Sequence, residues 1–199
     1  MKINRLALRL CMCALVLLRA LSLYADGKDS LSRKMIHMAG IDVKPAYVFP
    51  THEFFAGNNA TFSPIRKNLS VHLKYGFKFA PDTYFGRMYP HAVQGIGVGY
   101  NTFFHSSELG NPWSVYAFQT SRIASLTPRL SLDYEWNFGA SFGWKKYDAE
   151  SNPYNRVVGS KMNAYIHLSF LLNWQLDAQT NLRAGIGATH FSNGNTAYP

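Results

Sequence analysis

Cysteine is nearly missing from this chain, which holds two, Cys11 and Cys13. The remaining sequence has no thiol, which excludes a disulfide framework, a cysteine nucleophile and a thiolate metal site there. Long apolar runs are missing too. Past residue 25 no stretch approaches 18 consecutive apolar residues, so membrane-spanning helices are excluded from that part. Charge is sparse, at 16% of residues, and no run of Lys or Arg marks a nucleic-acid partner. Metal-ligand spacing is lacking as well. His52 and Glu53 begin like a zinc-helix signature, but HEFFA has no second His. His37, His72, His91, His105 and His167 show no ligand spacing either, and structural roles are expected for them.

Aromatic residues are abundant, with 12 Tyr, 14 Phe and 4 Trp. Such rings favour strands, and they sit well at a membrane–water interface. The first 25 residues have another character. Lys2, Arg5 and Arg9 precede a short apolar run at residues 10–18, and Ala20, Ser22 and Ala25 follow. This is the pattern of a secretory signal peptide at residues 1–25, cleaved after Ser22 or Ala25, with one domain at 26–199. Arg9 lies inside the position a lipoprotein box would need before Cys11, so lipidation is not expected. Taking Lys2, Arg5, Arg9 and Arg19 from the 20 basic side chains leaves 16 against 11 acidic ones, a formal charge of +5. That balance suits an anionic surface such as phosphorylated lipid headgroups, and equally an ordinary soluble surface.

Alternation dominates the rest. At residues 71–79 the apolar set Val71, Leu73, Tyr75, Phe77 and Phe79 interleaves with His72, Lys74, Gly76 and Lys78. Residues 130–144 repeat the pattern, with Leu130 to Trp144 in even positions against Ser131, Asp133, Glu135, Asn137 and Ser141. Residues 162–176 do so again. At 95–104, Ile96, Val98, Tyr100 and Phe104 oppose Gly95, Gly97, Gly99 and Asn101. Those glycines keep strict alternation and no helix follows, so a strand with a crowded inner face fits better than a dinucleotide loop. Residues 43–49, 113–120 and 181–191 complete seven expected strands, joined by turn-forming stretches such as 110–112 and 148–155.

Several of these strands exceed the usual five or six residues or so. Long strands, apolar on one side and small or polar on the other, predict an antiparallel up-and-down outer-membrane β-barrel whose apolar face meets lipid. Periodicity leaves a second arrangement open: a soluble lipocalin-like barrel with the apolar faces inside, around a ligand.

The chain closes on ATHFSNGNTAYP. Within 181–191 the residues Leu182, Ala184, Ile186 and Ala188 share a parity that His190 and Ser192 continue, against Arg183, Gly185, Gly187 and Thr189. An imidazole is a suitable base near neutral pH, and a serine hydroxyl needs one to become a nucleophile. Positions i and i+2 of a strand are roughly 7 Å apart, so contact requires a bend, for which Gly194 is placed. Asn193 and the backbone N–H of Gly194 are candidates for the oxyanion. The plainer alternative is polar decoration at a strand end.

The stretch HFSNGN, residues 190–195, resembles the active-site signature of the PagL-type outer-membrane lipid A deacylases, the acyloxyacyl hydrolases. HLKYGFKFAP from His72, QGIGVGY from Gln94, LDYEWNFGASFGW from Leu132 and GSKMNAYIHL from Gly159 are similar to the Bacteroidetes branch of that family. The resemblance implies an eight-stranded barrel in the outer membrane of a Gram-negative cell. It implies hydrolysis of an ester-linked acyl chain of lipopolysaccharide without metal or cofactor, lipid A and outer-membrane lipids being the partners. By the motif His190 is the base, Ser192 the nucleophile and Asn193 an oxyanion candidate.

The family completes its triad with a Glu on a following strand, and no such residue follows here. Asp133 and Glu135 have the opposite parity, and Asp148 and Glu150 fall in a connection. Seven strands against an expected even number, together with an ending at Tyr198-Pro199, point to a truncated barrel. A non-catalytic surface barrel is the rival reading.

Overall fold

Segments with one apolar and one polar side satisfy their backbone groups by pairing with the next segment along the chain. The computed structural model describes residues 34–194, so the expected leader lies outside the described residues. The strands are β1 (Met35–Tyr47), β2 (Lys67–Phe79), β3 (Val93–Thr102), β4 (Gly110–Ser125), β5 (Leu130–Trp144), β6 (Met162–Gln175) and β7 (Asn181–Ser192). They form one antiparallel sheet in chain order, β1 to β7. The all-β up-and-down architecture expected from alternation is therefore present, curled so far that Arg183 of β7 reaches Asp42 of β1 at 3.2 Å. Two short helices interrupt the connections, α1 (Glu53–Ala56) and α2 (Tyr84–Met88).

Some boundaries differ from the sequence expectation. β1 starts at Met35 rather than near residue 43. Residues 110–112 belong to β4 rather than to a turn, with a register shift between Gly110 and Trp113. Phe104 lies past the end of β3, at φ 60°.

The faces divide cleanly. Apolar side chains of the alternating sets lie outside, from Leu73, 61% exposed, to Ile186, 79% exposed. Inside are Ser70, His72, Lys74, Asn101, Ser114, Thr120, Asp133, Glu135, Asn137, His167 and Ser169, all buried. A lipocalin-like barrel would have the opposite arrangement. The interior is filled rather than hollow. A Cβ on Gly97 would collide with the Tyr116 ring, and one on Gly99 with the imidazole of His72, the crowding foreseen for that strand.

The charged centre of the interior is a four-member network. Lys74 Nζ pairs with both Asp42 and Glu135, and Arg183 spans the same two carboxylates at 3.2 Å each. Thr120 Oγ1 donates to Glu135 at 2.8 Å. Lys74 is 3% exposed on its side chain and Glu135 1%, so each needs its partner to offset the loss of water.

Connections at the two ends differ in size. At the β7 C-terminal end they are residues 48–66, 103–109 and 145–161, whereas the opposite end has tight turns after β4 and β6 and α2 after β2. The three at the β7 C-terminal end pack together around Phe54, Ile65, Phe103, Leu109, Trp144 and Val158. Glu108 ties them: its Oε1 accepts from Ala60 N–H at 2.9 Å, and its carbonyl accepts from the amides of Asn152 and Asn155.

Trp144 is a correction. Its parity assigns it to the outer apolar face, yet it is buried inside. Gly143 takes φ 90°, which turns the end of β5 and sends the indole inward, where Nε1 donates to Ser141 Oγ at 2.9 Å.

Candidate active site on the outer face

His190 and Ser192 stand on the last strand, and the register fixes their neighbours. His190 lies opposite Ile166 and Ser192 opposite Ala164, both on the outer side of β6. The two polar groups therefore share the apolar outer face, above Leu168, Phe170 and Ile186. Between them Phe191 points inward, against Trp144, Tyr165 and Phe103. That aromatic wedge holds the flanking positions outward, because neighbours on a strand face opposite ways.

The dyad itself is not closed. Ser192 Oγ accepts from the N–H of Gly194 at 3.0 Å, and no hydrogen bond joins it to His190. Gly194 makes the expected bend, at φ 61°. Asn193, between them, is half-buried. A backbone N–H aimed at the serine hydroxyl is also within reach of an oxyanion built on carbon bonded to that oxygen.

No carboxylate among the described residues bonds to His190. Glu135 and Asp133 are inside, as their parity required. Glu135 is held by Lys74 and Arg183; Asp133 accepts from Ser131 Oγ at 2.7 Å and from Asn173 Nδ2 at 2.9 Å. Asp148 binds its own loop, taking the N–H groups of Glu150 and Ser151 and the Ser151 hydroxyl.

A second His/Ser pair was not singled out from the sequence. His72 Nε2 lies 2.9 Å from Ser70 Oγ, and Tyr116 Oη lies 3.0 Å from His72 Nδ1. It has the same i, i+2 spacing, and its polar parity on β2 was the available signal. It is fully enclosed, so it ties β2 to β4 and meets no substrate. His167 similarly bonds Thr189 Oγ1 at 2.8 Å, His105 lies 3.4 Å from Ser63 Oγ, and His52 caps α1 through Nδ1.

Fold and site together define a class: an up-and-down antiparallel β-barrel sheet with a charged, filled interior and an apolar exterior that carries a histidine and a serine at one end. No protein-family model, curated protein or solved structure matches the chain.

Proposed function

We propose that this chain is an outer-membrane β-barrel esterase that removes an ester-linked acyl chain from lipid A, with His190 as base and Ser192 as nucleophile. One observation carries the reading: both side chains share the exposed apolar face, at the end with the larger connections. In bacterial barrels the longer loops are extracellular. On that orientation the pair faces the outer leaflet, where an acyl ester of lipopolysaccharide meets it without leaving the bilayer.

Rotation of Ser192 away from Gly194 brings its hydroxyl toward His190, which takes the proton as oxygen attacks the ester carbonyl. The tetrahedral oxyanion is stabilised by the Gly194 N–H and the Asn193 amide. Its collapse releases the alcohol of the cleaved ester, protonated by His190, and water then hydrolyses the acyl-enzyme.

The test is lipid A extracted from a Gram-negative host expressing the protein and analysed by mass spectrometry. Loss of one acyl chain, reduced about 10⁴-fold or more by Ser192→Ala, is the expected result. Deacylation undiminished in that variant rejects the assignment. The open dyad favours a second reading, a non-catalytic surface barrel, and the absence of any deacylation in correctly inserted protein would establish it.

A further inference from the structure

The connection from β2 to β3 departs from its neighbours. The other two connections at that end are tight turns, closed by hydrogen bonds such as Leu126 N–H to the Leu130 carbonyl and Leu176 N–H to the Thr180 carbonyl. Residues 80–92 instead carry α2, capped by Thr83, whose Oγ1 accepts from Gly86 N–H at 3.0 Å. Phe85 lies on Phe79, with ring centroids 5.3 Å apart. Phe79 has the parity of Val71, Leu73 and Tyr75, so α2 rests on the outside of the sheet. Tyr84 is 63% exposed and Phe85 52%, and Met88 and Tyr89 are exposed with them.

A groove of about 370 Å³ opens between α2 and the start of β1. It is lined by Met35 and Phe79, which are paired in register, by Tyr84 and Phe85, and by the polar residues Lys34, Asp82 and Thr83. This volume is within the range of small-molecule sites, about 300–1,000 Å³. Arg87, outside the lining, donates to the carbonyl of the lining residue Asp82 at 2.7 Å, so two cations, Lys34 and Arg87, stand against the one carboxylate. Amphipathic rings and cations flanking an apolar slot match the boundary between headgroups and acyl chains. The slot also continues the outer apolar band through Phe77 and Phe79.

We propose that α2 and this groove form a binding site for an anionic glycerophospholipid. One acyl chain lies against Met35, Phe79 and Phe85, and the phosphate meets Lys34. The site is at the opposite end from Ser192, so it holds the barrel against the other leaflet and has no part in the hydrolysis. This inference rests on the membrane reading, since a barrel in water would meet no such lipid.

The full chain, with the photoreactive benzoylphenylalanine in place of Phe85, is inserted into phosphatidylcholine vesicles with or without phosphatidylglycerol. A heat-dependent gel shift reports insertion. Irradiation should give a lipid adduct, enriched about fivefold for phosphatidylglycerol, and Lys34→Glu should abolish that enrichment while the gel shift persists. A crosslink to residues before Lys34 or to a second copy would overturn the proposal, as would equal capture of the two lipids. Without the gel shift the membrane reading fails and this proposal with it. With the shift but no lipid adduct, the groove assignment fails alone.

Discussion

Phe191 of β7 meets Trp144 of β5 edge to face, their ring centroids 5.0 Å apart. One departure from regular strand geometry and one regular alternation create this contact. Gly143 turns Trp144 into the interior, and the alternation of β7 delivers Phe191 to the same place. His190 and Ser192 are outside because the residue between them is anchored inside. Phe191→Ala should cost roughly 2 kcal/mol, less than the ~3–5 kcal/mol of a fully buried phenylalanine because the ring is half-buried. Any hydrolysis that depends on Ser192 should fall in Phe191→Ala and survive in Phe191→Leu. Thermal unfolding and lipid mass spectrometry on the same variants check both parts, and an Ala variant with unchanged stability would show that the wedge carries no strain of support.

The interior network gives a second expectation. Lys74 faces two carboxylates, Asp42 and Glu135, and Arg183 faces the same two. Truncating one buried partner leaves an uncompensated charge, a loss of about 3–5 kcal/mol. Glu135→Ala should therefore lower the urea midpoint sharply, whereas Arg122→Ala, which removes a part-exposed guanidinium 3.9 Å from Asp133, should change it little. Equal effects of the two substitutions would show that the network does not hold β1, β2, β5 and β7 together.

Much of this architecture was legible in the sequence because alternation is a local signal. Residues 130–144 and 181–191 announce both strand and face through their parity, and the crowding at Gly97 and Gly99 follows from glycines kept on one side. Trp144 was misplaced because one positive φ inverts parity, and no residue count reveals that. The beginning of β1 escaped because Met38 to Gly40 mixes sizes on both faces. Helix α2 escaped because five residues are too few for helical periodicity. At the candidate site, shared orientation followed from spacing, but the Gly194 bond to Ser192 depends on a backbone bend beyond the strand.

Loop 145–161 should respond to acid through one side chain. Asp148 accepts from the Ser151 N–H and hydroxyl and from the Glu150 N–H, which holds its carboxyl below the usual aspartate range. A depressed folded value means the stabilising contribution is present above the unfolded value, about 3.9, and is lost as pH falls through the folded one. The Asp148 carboxyl should titrate below that value by NMR, and Asp148→Asn should remove the acid-sensitive step in Ser151 amide protection. A titration midpoint at or above the ordinary value would contradict the loop geometry.

The outward face decides between lipid and water, and Leu168 is the place to ask. It is exposed on β6, midway along the strand, while its neighbour His167 is buried inside. Were this surface wet, Leu168→Arg would replace one exposed side chain with another and shift stability by about 0.5 kcal/mol or less. Where the surface meets hydrocarbon, an arginine at mid-depth costs about 2–4 kcal/mol, falling to roughly 0–1 kcal/mol near either interface. Met162, exposed at the end of the same strand on the same face, supplies the matched control. Leu168→Arg should therefore lower folding yield and unfolding free energy in phosphatidylcholine vesicles far more than Met162→Arg. Depth alone separates the two substitutions, so equal and small effects would mean that no hydrocarbon surrounds this sheet, and the route of His190 and Ser192 to a lipid ester would be gone.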